Sequence, residues 1–492
     1  MGVLCCSKSL PLFPEGNFHT KSSSSVLEPK PRLFRNFNSF DSIYQLTKHK
    51  LGFGSYGDVK LCTDKKLQAS KAVKIINKDY LRTVNIQSIW FYNKIDILNK
   101  LDHPLIISFH EFFEERDFFY LLMDYHRDGD LLKYLKTHKN LSESTICSIL
   151  HQLLTVITYL HKQKIAHRDL KPENILISES EEISIKLIDF DTAAVFEENG
   201  LSGKYGTFSY MAPETFENTY SEKCDIWSCG MILYTLLAGM SYYSGLSNKN
   251  RKSRNQAKKI DFSVQGLKKF SGPCIDLLHL TLEKDPNKRI SAQQALQHPW
   301  FARLQDNWYI TSVSLLEKIV NENFSPLIKA VKKLVFHLPG NETQIAQAEK
   351  TFLYLDKDYD GFITHKDLLD FFLKQQSKYE ANFSSETIIK RFQNTLDHKI
   401  SYSEFLMLAL DPNALLIPNN LLTFFEILCE EKEDQEKPGK KISLLGLGQR
   451  LSESTHWTKD EIEGWSKELE KTGKEFLEYE EFCEAITKII CT

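Results

Sequence analysis

The sequence predicts an α+β chain in which a two-lobed unit, strand-rich and then helical, precedes an all-α region of helix–loop–helix pairs. Three stretches carry that prediction. Leu51 to Val59, LGFGSYGDV, sets three glycines between strand-like runs, and Ala72-Val73-Lys74-Ile75 follows as the next strand. His167 to Asp191, HRDLKPENILISESEEISIKLIDFD, joins two acid-bearing loops through a short apolar strand pair, Ile175 to Ile177 and Ile185 to Ile188. Asp356 to Asp367, DKDYDGFITHKD, alternates carboxylates ahead of a glycine and lies between two amphipathic helical patterns. With 492 residues the chain exceeds what one hydrophobic core usually serves, so about two or three domains are expected.

Composition narrows the function classes. A formal net charge of -3 with 26% charged residues gives no overall basic field, so nucleic acid is not an expected partner. The ten cysteines form no CxxC framework and fit a reducing, cytoplasmic setting. No apolar run is long enough to span a membrane. The start is the exception: Gly2 after Met1, with Cys5 and Cys6, offers two lipid signals, although Cys6 stands where the acylation pattern wants Ser or Thr. Two readings stay open for residues 1–40, a dually acylated tether on the cytoplasmic face of a membrane or a plain disordered segment.

The first glycine-rich turn lets backbone N–H groups approach phosphate oxygens closely, which makes Leu51, Gly52, Phe53, Gly54, Ser55, Tyr56, Gly57, Asp58 and Val59 candidate ATP contacts. Lys74 on the following strand supplies a cation for the same phosphates. The second stretch sets Asp169 beside an incoming hydroxyl, and Asn174 and Asp189 beside magnesium, the spacing phosphoryl transfer requires. Gly206-Thr207, Met211-Ala212-Pro213-Glu214, Asp225-Ile226-Trp227-Ser228 and Arg289 after Asp285-Pro286 then follow in order.

These motifs resemble those of protein kinases, and the resemblance implies a bilobal protein kinase fold over residues 44–301. It implies that Met123 is the gatekeeper, that Asp124, Tyr125 and His126 form the hinge against adenine, and that Asp130 binds ribose. Lys171 would neutralise the transferring phosphoryl group, and Thr207 would line the acceptor site of a Ser/Thr enzyme. Glu173 would receive a basic residue of a protein substrate. Asp225 would brace the catalytic loop and Glu214 would pair with Arg289, both as satisfaction of buried charge.

In the third stretch, Asp356, Asp358, Asp360 and Asp367 take loop positions 1, 3, 5 and 12, Gly361 takes 6, and the Phe362 carbonyl takes 7: an EF-hand calcium loop. Ile345, Ala348, Phe352 and Leu355 mark one face of the entering helix, and Leu368 and Leu369 open the exit helix. Asp367 replaces the usual bidentate glutamate, so weaker calcium binding or better magnesium tolerance is expected. Three further hands, ending near Glu404, Leu445 and Glu481, lack ligands: Gln393 and His398 depart in the second, an acidic, lysine-rich insertion interrupts the third, and Lys474 would repel metal in the fourth.

The whole chain after residue 41 is similar to calcium-dependent protein kinases, a kinase fused through a junction to a calmodulin-like domain. On that resemblance, residues 302–340 are the autoinhibitory junction, 341–410 an EF-hand pair with one working loop, and 411–492 a degenerate pair. Leu327, Ile328, Val331, Leu334 and Val335 fall at helical spacing opposite Lys329, Lys332 and Lys333, as in a calmodulin target.

Two departures bear on catalysis. Counting back from Pro104, the family's helix glutamate is replaced by Lys94, and Asp96 lies roughly 200° round the helix from it. If Lys94 faces Lys74, the pair repels. The second is Asp191 in place of glycine, which costs backbone freedom. An attenuated but active Ser/Thr kinase using ATP, Mg2+ and Ca2+ is expected, with a catalytically silent calcium- and nucleotide-binding scaffold as the alternative. Gly203 stands where many kinases carry an activating phosphothreonine, which points to calcium control.

Overall fold

A computed structural model describes residues 34–54, 56–65, 68–179, 182–217, 219–243, 262, 265–304, 315–316, 341–375, 399–429, 442–443, 463, 467 and 476–491. Ser55, the acylation candidates Gly2, Cys5 and Cys6, the junction candidate Leu315 to His337 apart from Leu315 and Leu316, and the loop positions Gln393, His398 and Lys474 lie outside the described residues.

The first lobe is a six-stranded sheet. In chain order its strands are β1 (Phe34–Asn36), β2 (Tyr44–Phe53), β3 (Gly57–Asp64), β4 (Ser70–Asn77), β5 (Phe109–Glu114) and β6 (Phe118–Asp124); in space they run β1-β5-β6-β4-β3-β2. β1 lies parallel to β5 and the other pairs are antiparallel. Period-two alternation along β4 decides where its lysine goes. Val73 packs on one face with Phe40, Phe113 and Leu122, while Ala72 and Ile76 enter the core between the lobes. Lys74 shares the face of Ala72 and Ile76 and is carried into the cleft. The sheet is accompanied by α1 (Phe40–Ile43), α2 (Lys78–Thr83) and α3 (Ile89–Asn99), the last burying Phe91, Ile95, Ile97 and Leu98.

The second lobe is helical. After α4 (Leu131–Thr137) comes α5 (Glu143–Lys162), capped by Ser142, whose hydroxyl accepts from Thr145 N at 3.0 Å. Two short hairpin-like pairings follow, β7 (Ile165–Ala166) with β10 (Ala194–Val195), and β8 (Ile175–Glu179) with β9 (Ile183–Leu187). α6 (Lys223–Ala238) is buried from Cys224 to Leu237, so it is apolar all round rather than amphipathic. α7 (Gly272–Thr281) packs beside it, and α8 (Ala292–Leu296), started by a capping box between Ser291 and Gln294, packs against α5.

A helix–loop–helix pair follows: α9 (Glu342–Leu355), β11 (Phe362–Thr364), α10 (His365–Gln375), β12 (Lys399–Ser401) and α11 (Tyr402–Ala409). β11 and β12 pair antiparallel with Ile363 opposite Ile400. Ala348, Phe352, Leu355, Ile363, Leu368 and Phe405 form its core, and Leu315 and Leu316 pack into it. A second unit repeats the design with α12 (Pro418–Leu428), β13 (Ile442–Ser443), β14 (Phe476–Leu477) and α13 (Tyr479–Cys491), Ile442 lying opposite Leu477. Among the described residues no helix is long and apolar enough to cross a membrane, and Cys62, Cys147, Cys224, Cys229, Cys274, Cys429 and Cys483 are not joined in disulfides.

Candidate active site and calcium loop

Between the lobes lies a cavity of about 630 Å³. Leu51, Gly52, Phe53, Gly54 and Val59 line it from β2 and β3, Met123, Asp124 and His126 from the strand-to-helix crossing, and Lys171, Asn174 and Asp189 from the helical lobe. Not every turn residue joins them. Tyr56, Gly57 and Asp58 line a separate cavity of about 420 Å³ with Lys60 and Tyr80. There the Tyr56 ring meets Trp90 of α3 edge-on at 4.6 Å, and Asp58 pairs with Lys50 at 2.7 Å. Phe53 is 82% exposed, with Lys50 Nζ 3.3 Å from its ring centroid. Gly57 has a close-approach reason to be glycine: a Cβ there would sit 2.0 Å from the Ile75 carbonyl oxygen.

At the crossing, Asp124 accepts from Lys71 Nζ at 2.9 Å and bonds His110 Nε2 at 2.7 Å. Burial opposes its charge, but His110 and Lys71 prevail and hold the carboxyl well below its usual range. Its side chain is thus engaged within the lobe, leaving only backbone groups for a ligand. Asp130 caps α4, accepting from Lys133 N at 2.8 Å, and also lines the cavity.

The catalytic-loop side chains converge on Asp169. Its Oδ1 accepts from Thr207 N and Thr207 Oγ1, both at 2.8 Å, and its Oδ2 accepts from Lys171 Nζ at 2.8 Å. Lys171 Nζ also reaches Thr207 Oγ1 at 3.0 Å; burial alone would lower this amine, but Asp169 raises it above its ordinary value. Asn174 uses its amide nitrogen on the Asp169 carbonyl at 2.8 Å, which leaves the amide oxygen to a cation. Buried Asp225 holds the loop in place by accepting from His167 N and Arg168 N, each at 2.9 Å. Arg168 and Asp189 adopt left-handed backbone angles, φ 67° and 63°, a conformation that the surrounding bonds must sustain. Arg289 grips Glu214 with two parallel bonds of 2.5 and 3.0 Å.

Lys74 has two carboxylate partners, Asp189 Oδ1 at 2.7 Å and Asp191 Oδ1 at 2.6 Å. Burial would lower the Lys74 amine, but the two acids outweigh it and hold it above its ordinary value. Burial and the neighbouring Asp189 charge push Asp191 up to about 6. Lys94 does not take the place of an acid beside Lys74, and the Lys74 charge acts on it only as a minor repulsion. Its amine turns to the Ala193 carbonyl at 2.6 Å, and burial together with Arg168 lowers it to about 8. Asp191 shows no left-handed φ, so glycine is not required there. Its role as a lysine partner was missed by the sequence reading, yet a signal existed: an acid lost from α3 and an acid gained two residues after Asp189.

The calcium-type loop gathers Asp356, Asp358 and Asp360, whose oxygens lie within 4.8 Å of one another. Asp356 is buried and accepts from Asp360 N and Gly361 N at 3.1 and 3.0 Å; burial pushes it up to about 7. Gly361, at φ 85°, supplies the turn. Three converging carboxylates suit a hard cation such as calcium. Phe362 lies at the start of β11, its N–H bonded to Asp360. Asp367 is not brought to the cluster, because its Oδ2 accepts from Thr364 N at 2.8 Å and Thr364 Oγ1 at 2.5 Å. The loop also rests on the first unit: Lys162 Nζ lies 3.5 Å from Asp358 and Gln163 donates to the Asp360 carbonyl at 3.2 Å.

The protein kinase domain family matches residues 45–301. Calcium-dependent protein kinase 4 of Plasmodium falciparum (isolate 3D7) is 32% identical over 463 residues, covering 89% of this chain and 85% of the relative. Calcium-dependent protein kinase 3 of Plasmodium berghei (strain Anka) is 30% identical over 454 residues, covering 91% and 80%. Calcium-dependent protein kinase 5 of Plasmodium falciparum (isolate 3D7) is 28% identical over 468 residues, covering 93% and 80%. With a cleft that gathers an ATP-type lysine, acid and amide set and relatives aligned far past that cleft, the chain belongs to the calcium-dependent protein kinase family as a divergent member.

Proposed function

We propose that this chain transfers the γ-phosphoryl group of ATP to serine and threonine hydroxyls of proteins, under calcium control. The observation that carries the reading is Asp169 bonded at once to Lys171 and Thr207 beside Asn174. An acceptor hydroxyl entering there would meet the Asp169 carboxylate, which orients it and takes its proton, while Lys171 neutralises charge on the phosphoryl oxygens. Asn174 and Asp189 would hold Mg2+, which supplies charge neutralisation of the phosphates when bound. Lys74 would hold the α and β phosphates, and exposed Glu173 at the cleft rim favours substrates with a basic residue near the target hydroxyl.

Calcium control would act through Asp356, Asp358, Asp360 and the Phe362 carbonyl, with Asp367 joining only after leaving Thr364. This reading makes the loop an EF-hand, 341–410 a pair with one working loop, 411–492 a degenerate pair, and 302–340 the inhibitory junction that calcium releases. Phosphorylation is a poor alternative switch. Arg168 already donates to the Thr192 and Ser202 carbonyls at 2.6 and 3.2 Å and covers the Tyr205 ring at 4.3 Å, so its guanidinium is engaged without a phosphate. The alternative, a catalytically silent calcium- and nucleotide-binding scaffold, draws on Lys94 and Asp191; against it, the Lys94 amine bonds the Ala193 carbonyl and Asp191 pairs with Lys74.

Transfer from Mg-ATP to a basic Ser/Thr peptide, with and without calcium, tests the proposal, with Asp169→Asn as the blank. Transfer above the blank that rises with calcium is expected. Nucleotide binding without transfer in either state would replace the enzyme with the scaffold.

A further inference from the structure

We infer that Asp191 is the positioning residue for Lys74, supplying from the segment after Asp189 the carboxylate that α3 lacks. The inference rests on Lys74 and Asp189 being the ATP-site pair proposed above, and goes further by naming what orients that lysine. Lys74 is only 5% exposed at its side chain, and an amine buried that deeply needs full pairing. Asp189 alone would have to satisfy it while also serving a metal ion. Asp191 relieves that conflict: its Oδ1 lies 2.6 Å from Lys74 Nζ, and its Oδ2 is buried with no hydrogen-bond partner among the described residues. Its other close neighbour, Asp189, opposes a charge there, so Lys74 is the contact that favours a buried carboxylate at this place. A glycine at 191 would leave Lys74 with one acid, and no acid of α3 is paired with it.

The exchange changes what Lys74 depends on. Both its partners come from one short segment, two residues apart, so a shift of α3 does not strip the lysine of a partner. α3 is tied to the same segment separately, through Lys94 and the Ala193 carbonyl. Lysine orientation and helix position are therefore uncoupled at the amine, and the segment from Asp189 to Ala193 becomes the common anchor for both.

The test uses the full chain and two readouts, ATP·Mg affinity by calorimetry and the rate at which an acylating reagent labels Lys74, followed by mass spectrometry. The labelling readout reports the pair whether or not phosphate is transferred, so failure of this inference is separable from failure of the proposed activity. Asp191→Gly and Asp191→Asn should each weaken ATP·Mg binding by about tenfold or more and speed Lys74 labelling, because one charge partner is gone. Lys94→Glu combined with Asp191→Gly should recover most of both, since the carboxylate returns from α3. Unchanged Lys74 labelling in both single variants overturns the inference whatever happens to turnover. So does faster labelling with ATP·Mg affinity unchanged, and so does a double variant as weak as Asp191→Gly. Asp191→Asn, nearly the same size as the native side chain, keeps the test valid if the glycine variant does not fold.

Discussion

Lys94 carries a charge into a place where little offsets it. Burial and Arg168 lower its amine from 10.5 to about 8, so in the folded protein the charged form is disfavoured relative to the unfolded chain. Because the folded value lies below the unfolded one, the penalty is fully present below about pH 8 and fades as pH rises toward 10.5. Its size is on the order of 3 kcal/mol. Lys94→Met removes that charge, so the Tm of wild type should climb relative to the variant between about pH 8 and about pH 10.5. Calorimetric scans that stay parallel over that interval would mean that the amine reaches water. The direction of such a side chain was not legible beforehand, since a four-carbon arm on a helix can turn to any acceptor within reach and the Ala193 carbonyl is 99 residues away in sequence. Lys74 was legible, because strand alternation between Ala72 and Ile76 leaves it one direction to point.

At the level of elements, the short motifs read well and their side-chain ends less so. Glu214 and Arg289 come from segments far apart, yet each is buried, at 6% and 1% exposure, and together they tie the end of the activation segment to the stretch before α8. Replacing Arg289 with Met leaves Glu214 as a buried unpaired charge and should cost about 3–5 kcal/mol, read as a lower denaturation midpoint; a loss under about 1 kcal/mol would show that water reaches Glu214. The calcium-type loop shows the opposite case. Carboxylate alternation and Gly361 announced the turn, but whether Asp367 faces the cluster or caps the start of α10 depends on side-chain length, and the short arm goes to Thr364. Asp367→Glu, one methylene longer, should reach the cation as well and tighten calcium binding by about tenfold in titration calorimetry. An unchanged affinity would mean that α10 already moves toward the ion.

For the molecule as a whole, the helix–loop–helix pair and the first unit share a polar seam that no motif announced. Glu349 of α9 accepts from Lys186 Nζ at 2.5 Å and from the Tyr402 hydroxyl at 2.8 Å. Asp102, just after α3, accepts from Ser403 N and Oγ at 3.1 and 2.6 Å. Such contacts were illegible because each pairs ordinary surface residue types across hundreds of positions. Their consequence follows from what else the seam holds: Lys162 Nζ lies 3.5 Å from Asp358, one of the three clustered carboxylates, so on the proposed reading its charge would oppose a calcium ion there. On that reading calcium and the docked arrangement compete, and because the coupling is reciprocal, weakening the docking strengthens calcium binding by at most the factor by which docking is weakened. Glu349→Ala removes the partner of Lys186 without touching the loop, so it should raise calcium affinity by at least about fivefold, while amide exchange along α9 quickens in the absence of calcium. A variant that exchanges faster but binds calcium more weakly would reverse the sign of the coupling, making the docked arrangement the calcium-favoured one and Lys162 a side chain that must swing away as the ion enters.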